Sequence, residues 1–154
     1  MKQLSELTAL LINLNLVAAE SIESVADEPR IIPSGRIATL DTGLNKPGVI
    51  LYRQTYTGLF FIDDYPFDKH PVEELLGQIC AYLLENGNGS DEIPVPETHV
   101  EILDNGTANI EVQIKFEEDV YGVEDPDGTI PLKGKMYRVA DPEIDYVLTG
   151  DVAT

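Results

Sequence analysis

The sequence predicts an α+β domain: a mostly antiparallel sheet with two helices packed on one face. Three observations carry that expectation. In HVEILDNGTANIEVQIKFEEDV, residues His99 to Val120, two period-2 apolar runs flank Asp104-Asn105-Gly106-Thr107, the pattern of an antiparallel hairpin with one dry and one wet face. Two other stretches repeat apolar residues at spacings of three and four, as a helix does. The strand-like runs follow one another instead of alternating with helices, which favours antiparallel pairing over a parallel sheet.

In chain order, Leu4, Leu7, Leu11, Leu14 and Ala18 form a helical stripe, and the helix is expected to end near Asn15. A short strand is expected around Val17 to Val25, then a turn at Asp27-Glu28-Pro29, because proline lacks an N–H and biases its predecessor toward extended backbone. Ile31 to Leu40 reads as another strand, broken by Pro33-Ser34-Gly35, and Asp41 to Gly48 as a polar loop. Val49 to Asp63 is a strand with Tyr52, Tyr56, Phe60 and Ile62 on one face, and Gly58 marks a bulge or a close backbone approach.

Pro71 opens a helix in which Val72, Leu75, Leu76, Ile79, Cys80 and Leu83 share a face; Glu73 and Glu74 suit its first turn, and Asn86 to Gly89 end it. Cys80 is expected to be a buried, inert thiol on that face. Pro94 and Pro96 lead into the hairpin, whose alternation breaks at Glu117-Glu118-Asp119. Asp125-Pro126-Asp127-Gly128 turns the chain, and one last strand spans about Thr129 to Val139. Residues 1–143 are expected to form one domain and 144–154 a flexible tail.

A chain of 154 residues with 43% hydrophobic content can bury a core. Twenty-eight Asp and Glu against ten Lys and Arg give a net charge of −18, which disfavours contact with nucleic-acid backbone and with anionic membrane alike. No apolar run has the length of a membrane span, and the lone Cys80 excludes an intrachain disulfide and a paired-cysteine metal site, so a soluble protein of a reducing compartment is expected.

Catalytic signatures are missing. His70 and His99 have no ligand partner at metal-binding spacing, and the aspartates beside His70 (Asp63, Asp64, Asp68) suit a solvated loop. Asp125 to Gly128 lacks the later ligands of a calcium loop. Neither nucleophile nor phosphate-loop motifs occur, so no enzyme activity, cofactor or metal is expected. Tyr121, Tyr137 and Tyr146 are weighed as interface anchors, because aromatic residues concentrate there.

The order of elements resembles the phage tail completion protein R family, the tail terminators of P2-like contractile tails. The stretches that carry it are "SGRIATL", "LYRQTYTGLFFIDDYPFDKHPVEELLGQICAYLLEN" and "VEILDNGTANIEVQIKFEEDVYGVE", within residues 2–143. The resemblance implies a structural virion protein, assembled in the bacterial cytoplasm, that caps the tail tube, stops its elongation and offers a head-joining surface. Its implied partners are further copies of itself in a hexameric ring, the tail tube protein, and sheath and neck or connector proteins. DNA would pass through the ring without specific binding, and the wet face of the hairpin would lie partly toward that channel. Asp63, Asp64, Tyr65, Tyr121, Glu124, Asp125 and Asp127 are the candidate interaction residues, placed in loops whose backbone is not committed to the sheet. A head-to-tail connector is the near alternative. An acidic DNA mimic and a small carboxylate enzyme are the distant ones.

Overall fold

A computed structural model of the chain describes residues 1–40, 46–92 and 94–140. Among these, helix α1 (Lys2–Asn13) and helix α2 (Val72–Asn86) accompany six strands: β1 (Ile22–Leu40), β2 (Lys46–Tyr65), β3 (Glu97–Ile102), β4 (Ala108–Glu124), β5 (Ile130–Leu132) and β6 (Lys135–Val139). They form one sheet of order β1-β2-β4-β6-β5, with β3 paired to β4 off that path. The β3–β4, β4–β6 and β5–β6 pairings are antiparallel. The result is a mixed α/β fold with an antiparallel sheet and two helices.

The chain divides into two compact units: residues 1–30 with 55–118, and residues 31–54 with the segment from 119 onward. In the first, β4 alternates as its sequence requires. Ala108, Ile110, Val112, Ile114 and Phe116 are buried in a cluster with Leu7 and Leu11 of α1, Leu75, Ile79, Tyr82 and Leu83 of α2, and Tyr56, Phe60 and Ile62 of β2. Burial of each large apolar side chain contributes about 1.5–3 kcal/mol. The Phe116 ring lies 5.5 Å from Tyr56 and meets Phe60 edge-on at 6.4 Å. Gly58 faces the same ring, and a Cβ there would lie 2.7 Å from Phe116 Cε2, so the predicted close approach is real. In the second unit the buried side chains include Ala38, Val49, Ile50, Gln54, Val123 and Tyr137.

Several expectations give way. No strand forms before Ile22, because Asn15 takes a positive φ of 55° past the helix end and Ala19–Ser21 make a 3-10 turn. The turn at Asp27 to Pro29 and the break at Pro33 to Gly35 are both absent, since β1 runs unbroken through them. Positive φ at Glu28 and Gly35 absorbs the irregularity, and an edge strand tolerates proline because its outer side has no ladder to serve.

Likewise β4 continues through Glu117 to Glu124, and the single last strand is a β5–β6 hairpin turning at Lys133 and Gly134, both at positive φ, the geometry of a tight two-residue turn. Strand β3 is exposed at all six positions, so only the β4 half of the long hairpin has a dry face. Cys80 is exposed: the buried stripe centres on Leu75, Ile79, Tyr82 and Leu83 and leaves it outside. Residues 41–45 of the expected polar loop and the whole of 144–154 lie outside the described residues.

Candidate interaction surface

The interruption at Glu117-Glu118-Asp119 is a junction rather than a strand end. Helix α1 has neither a capping side chain of its own nor an acid in its first turn. Glu118 of β4 fills that role from across the unit: its carboxylate accepts the backbone N–H groups of Lys2 (2.9 Å) and Gln3 (3.0 Å) and the hydroxyl of Tyr56. A carboxylate here meets both the orphan donors and the positive end of the helix dipole. Gln3 Nε2 donates to the Glu117 carbonyl at 3.0 Å, and Tyr82 donates to Glu6 at 3.1 Å. Burial first, then the adjoining carboxylates, push the Tyr56 and Tyr82 phenols far above their usual range. Both are neutral donors with a structural task.

Beside this junction, the segment after α2 locks onto β4. Asn88 is buried; its side chain donates to the Lys115 carbonyl at 2.8 Å while its own carbonyl accepts the Glu117 N–H at 2.8 Å. Gly89 takes φ +92°, and a Cβ would fall 1.6 Å from the Glu117 oxygen, so only glycine fits. The segment borders a surface groove of about 840 Å³ over the wet side of the sheet, lined among others by Glu28, Arg30, Thr55, Thr57, Gln113 and Lys115. Glu92, Glu97 and Glu117 also line it, so its acids outnumber its cations and it repels a polyanion. Among the described residues, no cluster of three or more His, Cys, Asp or Glu could hold a metal ion.

The seven candidate residues fall into two groups in separate units. Asp63 and Asp64 are exposed at the end of β2, where Asp64 N–H donates to Asn109 Oδ1 at 3.1 Å. Tyr65 is buried, its hydroxyl donating to the Pro71 carbonyl at 3.2 Å. All three belong to a strand, not a loop, and so do Tyr121 and Glu124 in β4. Tyr121 is half-buried, its phenol pushed up by burial and by Asp119. Glu124 pairs with Lys135 at 3.5 Å and Asp125 with Arg138 at 3.1 Å. Asp125 also accepts the Asp127 N–H at 2.9 Å, forming the expected turn and leaving Asp127 exposed. Tyr137 is buried, and Tyr146 lies outside the described residues.

Sequence reasoning missed an apolar feature. Ile31, Ile32 and Ile37 on β1 are 66%, 55% and 71% exposed. Their one sequence signal is the adjacent Ile31-Ile32 pair, which a strand must point to opposite sides. Among the described residues, no helix is long and apolar enough to cross a membrane.

The sequence profile of the P2 phage tail completion protein R (GpR) family matches residues 1–142. The chain belongs to that family; it is a structural tail protein of the virion. It is 24% identical over 115 residues to an uncharacterized 19.2 kDa protein from the rep-hol intergenic region of Haemophilus phage HP1 (strain HP1c1), covering 73% of this chain and 69% of that one. No solved structure matches.

Proposed function

We propose that this protein terminates the tail: it caps the tail tube, stops its elongation and presents the surface that joins the head. Membership of the tail completion family across residues 1–142 carries the reading. It acts as a ring, by this reading a hexamer, on a contractile tail, with both helices on one face of each sheet and DNA passing through the centre. Two features support a passage that does not hold DNA. The net charge of −18 repels phosphate, and the wet side of β4 borders a groove in which acids outnumber cations. The partners are further copies of the chain, the tail tube protein and the neck. Electron microscopy of tails assembled without this chain tests the proposal. Tubes of uncontrolled length, or tails that fail to join heads, are expected. Tails of normal length that join heads normally would overturn it.

A further inference from the structure

We infer that β1 from Arg30 to Ile37 is a contact surface for a second copy of this chain, received by the acidic outer edge at β3 of that neighbour. The inference rests on the ring proposed above and names where its subunits touch.

Among the described residues, three strands edge the sheet. Strand β5 has three residues, one of them Pro131, and is too short and too poor in donors to serve. Strand β1 is long and exposes Ile31, Ile32 and Ile37. Exposed isoleucines on a long edge invite indiscriminate strand pairing. Pro29 and Pro33 counter that hazard, since neither has an N–H to donate to a strand laid alongside. The backbone zipper is interrupted and the side chains are left to make the contact.

Charge selects the occupant. Arg53 pairs with Asp119 and Arg138 with Asp125, each at 3.1 Å. Arg30 and Arg36, which stand either side of Ile31 and Ile32, have no ion pair among the described residues. In a chain of charge −18, two copies repel unless the contact brings such cations against acids. Strand β3 offers the complement. It is exposed throughout, with Glu97 and Glu101 on one side and Val100 and Ile102, 37% and 62% exposed, on the other. Set edge to edge, the guanidinium groups of one copy thus meet the carboxylates of the next on one side of the joined strands, and Ile31 meets Val100 and Ile102 on the other. Because the two patches differ and every copy carries both, the contact is heterologous and can repeat until it closes.

The test uses full-length chains assembled into tails. A double variant, Ile31→Cys with Ile102→Cys in a Cys80→Ser background, is oxidised in purified tails and run without reductant. A ladder of covalent oligomers of this chain is expected, with no ladder beyond dimers from either single variant. Absence of a ladder, or a bond to a different tail protein, would overturn the inference. Charge reversal gives a second reading on the purified protein: Arg30→Glu with Arg36→Glu should weaken self-association at least tenfold by sedimentation. Adding Glu97→Arg and Glu101→Arg should restore it. Folded variants, with melting points near the parent's, that associate normally without the compensating pair would also refute the contact. A ladder in tails whose length is normal without the chain upholds the contact and sinks termination. No ladder, together with runaway tubes on deletion, does the reverse.

Discussion

Removing the Glu118 carboxylate should loosen α1 before it unfolds the rest. The side chain holds the Lys2 and Gln3 N–H groups and the Tyr56 hydroxyl, on an element that otherwise lacks a cap. Loss of a helix cap costs about 1 kcal/mol, and loss of a charge at the dipole's positive end about 0.5–1 kcal/mol. Loss of a hydrogen bond to a charged group, which leaves the buried Tyr56 O–H without its acceptor, adds about 1.5–3 kcal/mol. These effects share one group and do not sum fully, so Glu118→Ala should cost about 3 kcal/mol. In a chain of this size that lowers Tm by about 9 °C. Glu118→Gln keeps one acceptor but no charge and should fall near half that loss. Circular dichroism melts give the Tm, and amide hydrogen exchange should show residues 2–13 opening first. If Glu118→Ala melts within about 1 °C of the parent with unchanged exchange in α1, the cap reading is wrong.

Four further outcomes follow. Gly89→Ala should destabilise by more than about 3 kcal/mol or abolish folding, because its Cβ would overlap the Glu117 carbonyl. Gly77→Ala, in α2 with nothing within 4 Å of the new Cβ, should instead stabilise by about 0.5–1 kcal/mol; urea unfolding measures both. Tyr56 and Tyr82 have folded pKa values raised above the unfolded value near 10. Their contribution is therefore full below about pH 10 and lost above it, at about 1.4 kcal/mol per pH unit for each phenol, and Tyr56→Phe should flatten that decline in alkaline melts. Asp125→Ala should cost about 1–2 kcal/mol through the turn and Arg138, whereas Asp127→Ala should stay within about 0.5 kcal/mol.

The sequence made legible those elements whose local pattern agrees with their packing. Strand β4 alternates because every second side chain enters the buried core, α2 repeats at three and four because one stripe is buried, and Gly58 stands where a ring passes. Legibility failed where tertiary context overrides a local rule. Prolines read as breaks in β1, yet an edge strand has no outer ladder to lose. The acidic run after Phe116 read as the end of β4, whereas Glu118 serves α1 and Asp119 serves Arg53 while the backbone stays extended. Tyr65 read as part of a surface corner and is buried in the core, because the residues after it turn back into α2 and Pro71 takes its hydroxyl. No local signal reports a partner more than a hundred residues away, as Glu118 is from Lys2.

That division of labour bears on what the acidity is for. A DNA mimic needs its carboxylates free, exposed and regularly spaced, to stand in for a phosphate backbone. Here Glu118 caps a helix, Glu6 accepts Tyr82, Asp119 and Glu124 pair with Arg53 and Lys135, and Asp125 closes a turn against Arg138. The acids that remain exposed are spread over β1 (Glu23, Asp27, Glu28), the end of β2, α2 (Glu73, Glu74, Glu85), strand β3 and the loops, not gathered along one strand. Such a pattern gives a diffuse negative surface in place of a shaped one. A diffuse surface repels DNA without competing for its enzymes, in keeping with the DNA passage proposed above. It also makes each unpaired cation informative, because at −18 any contact between copies depends on where the few guanidinium groups point.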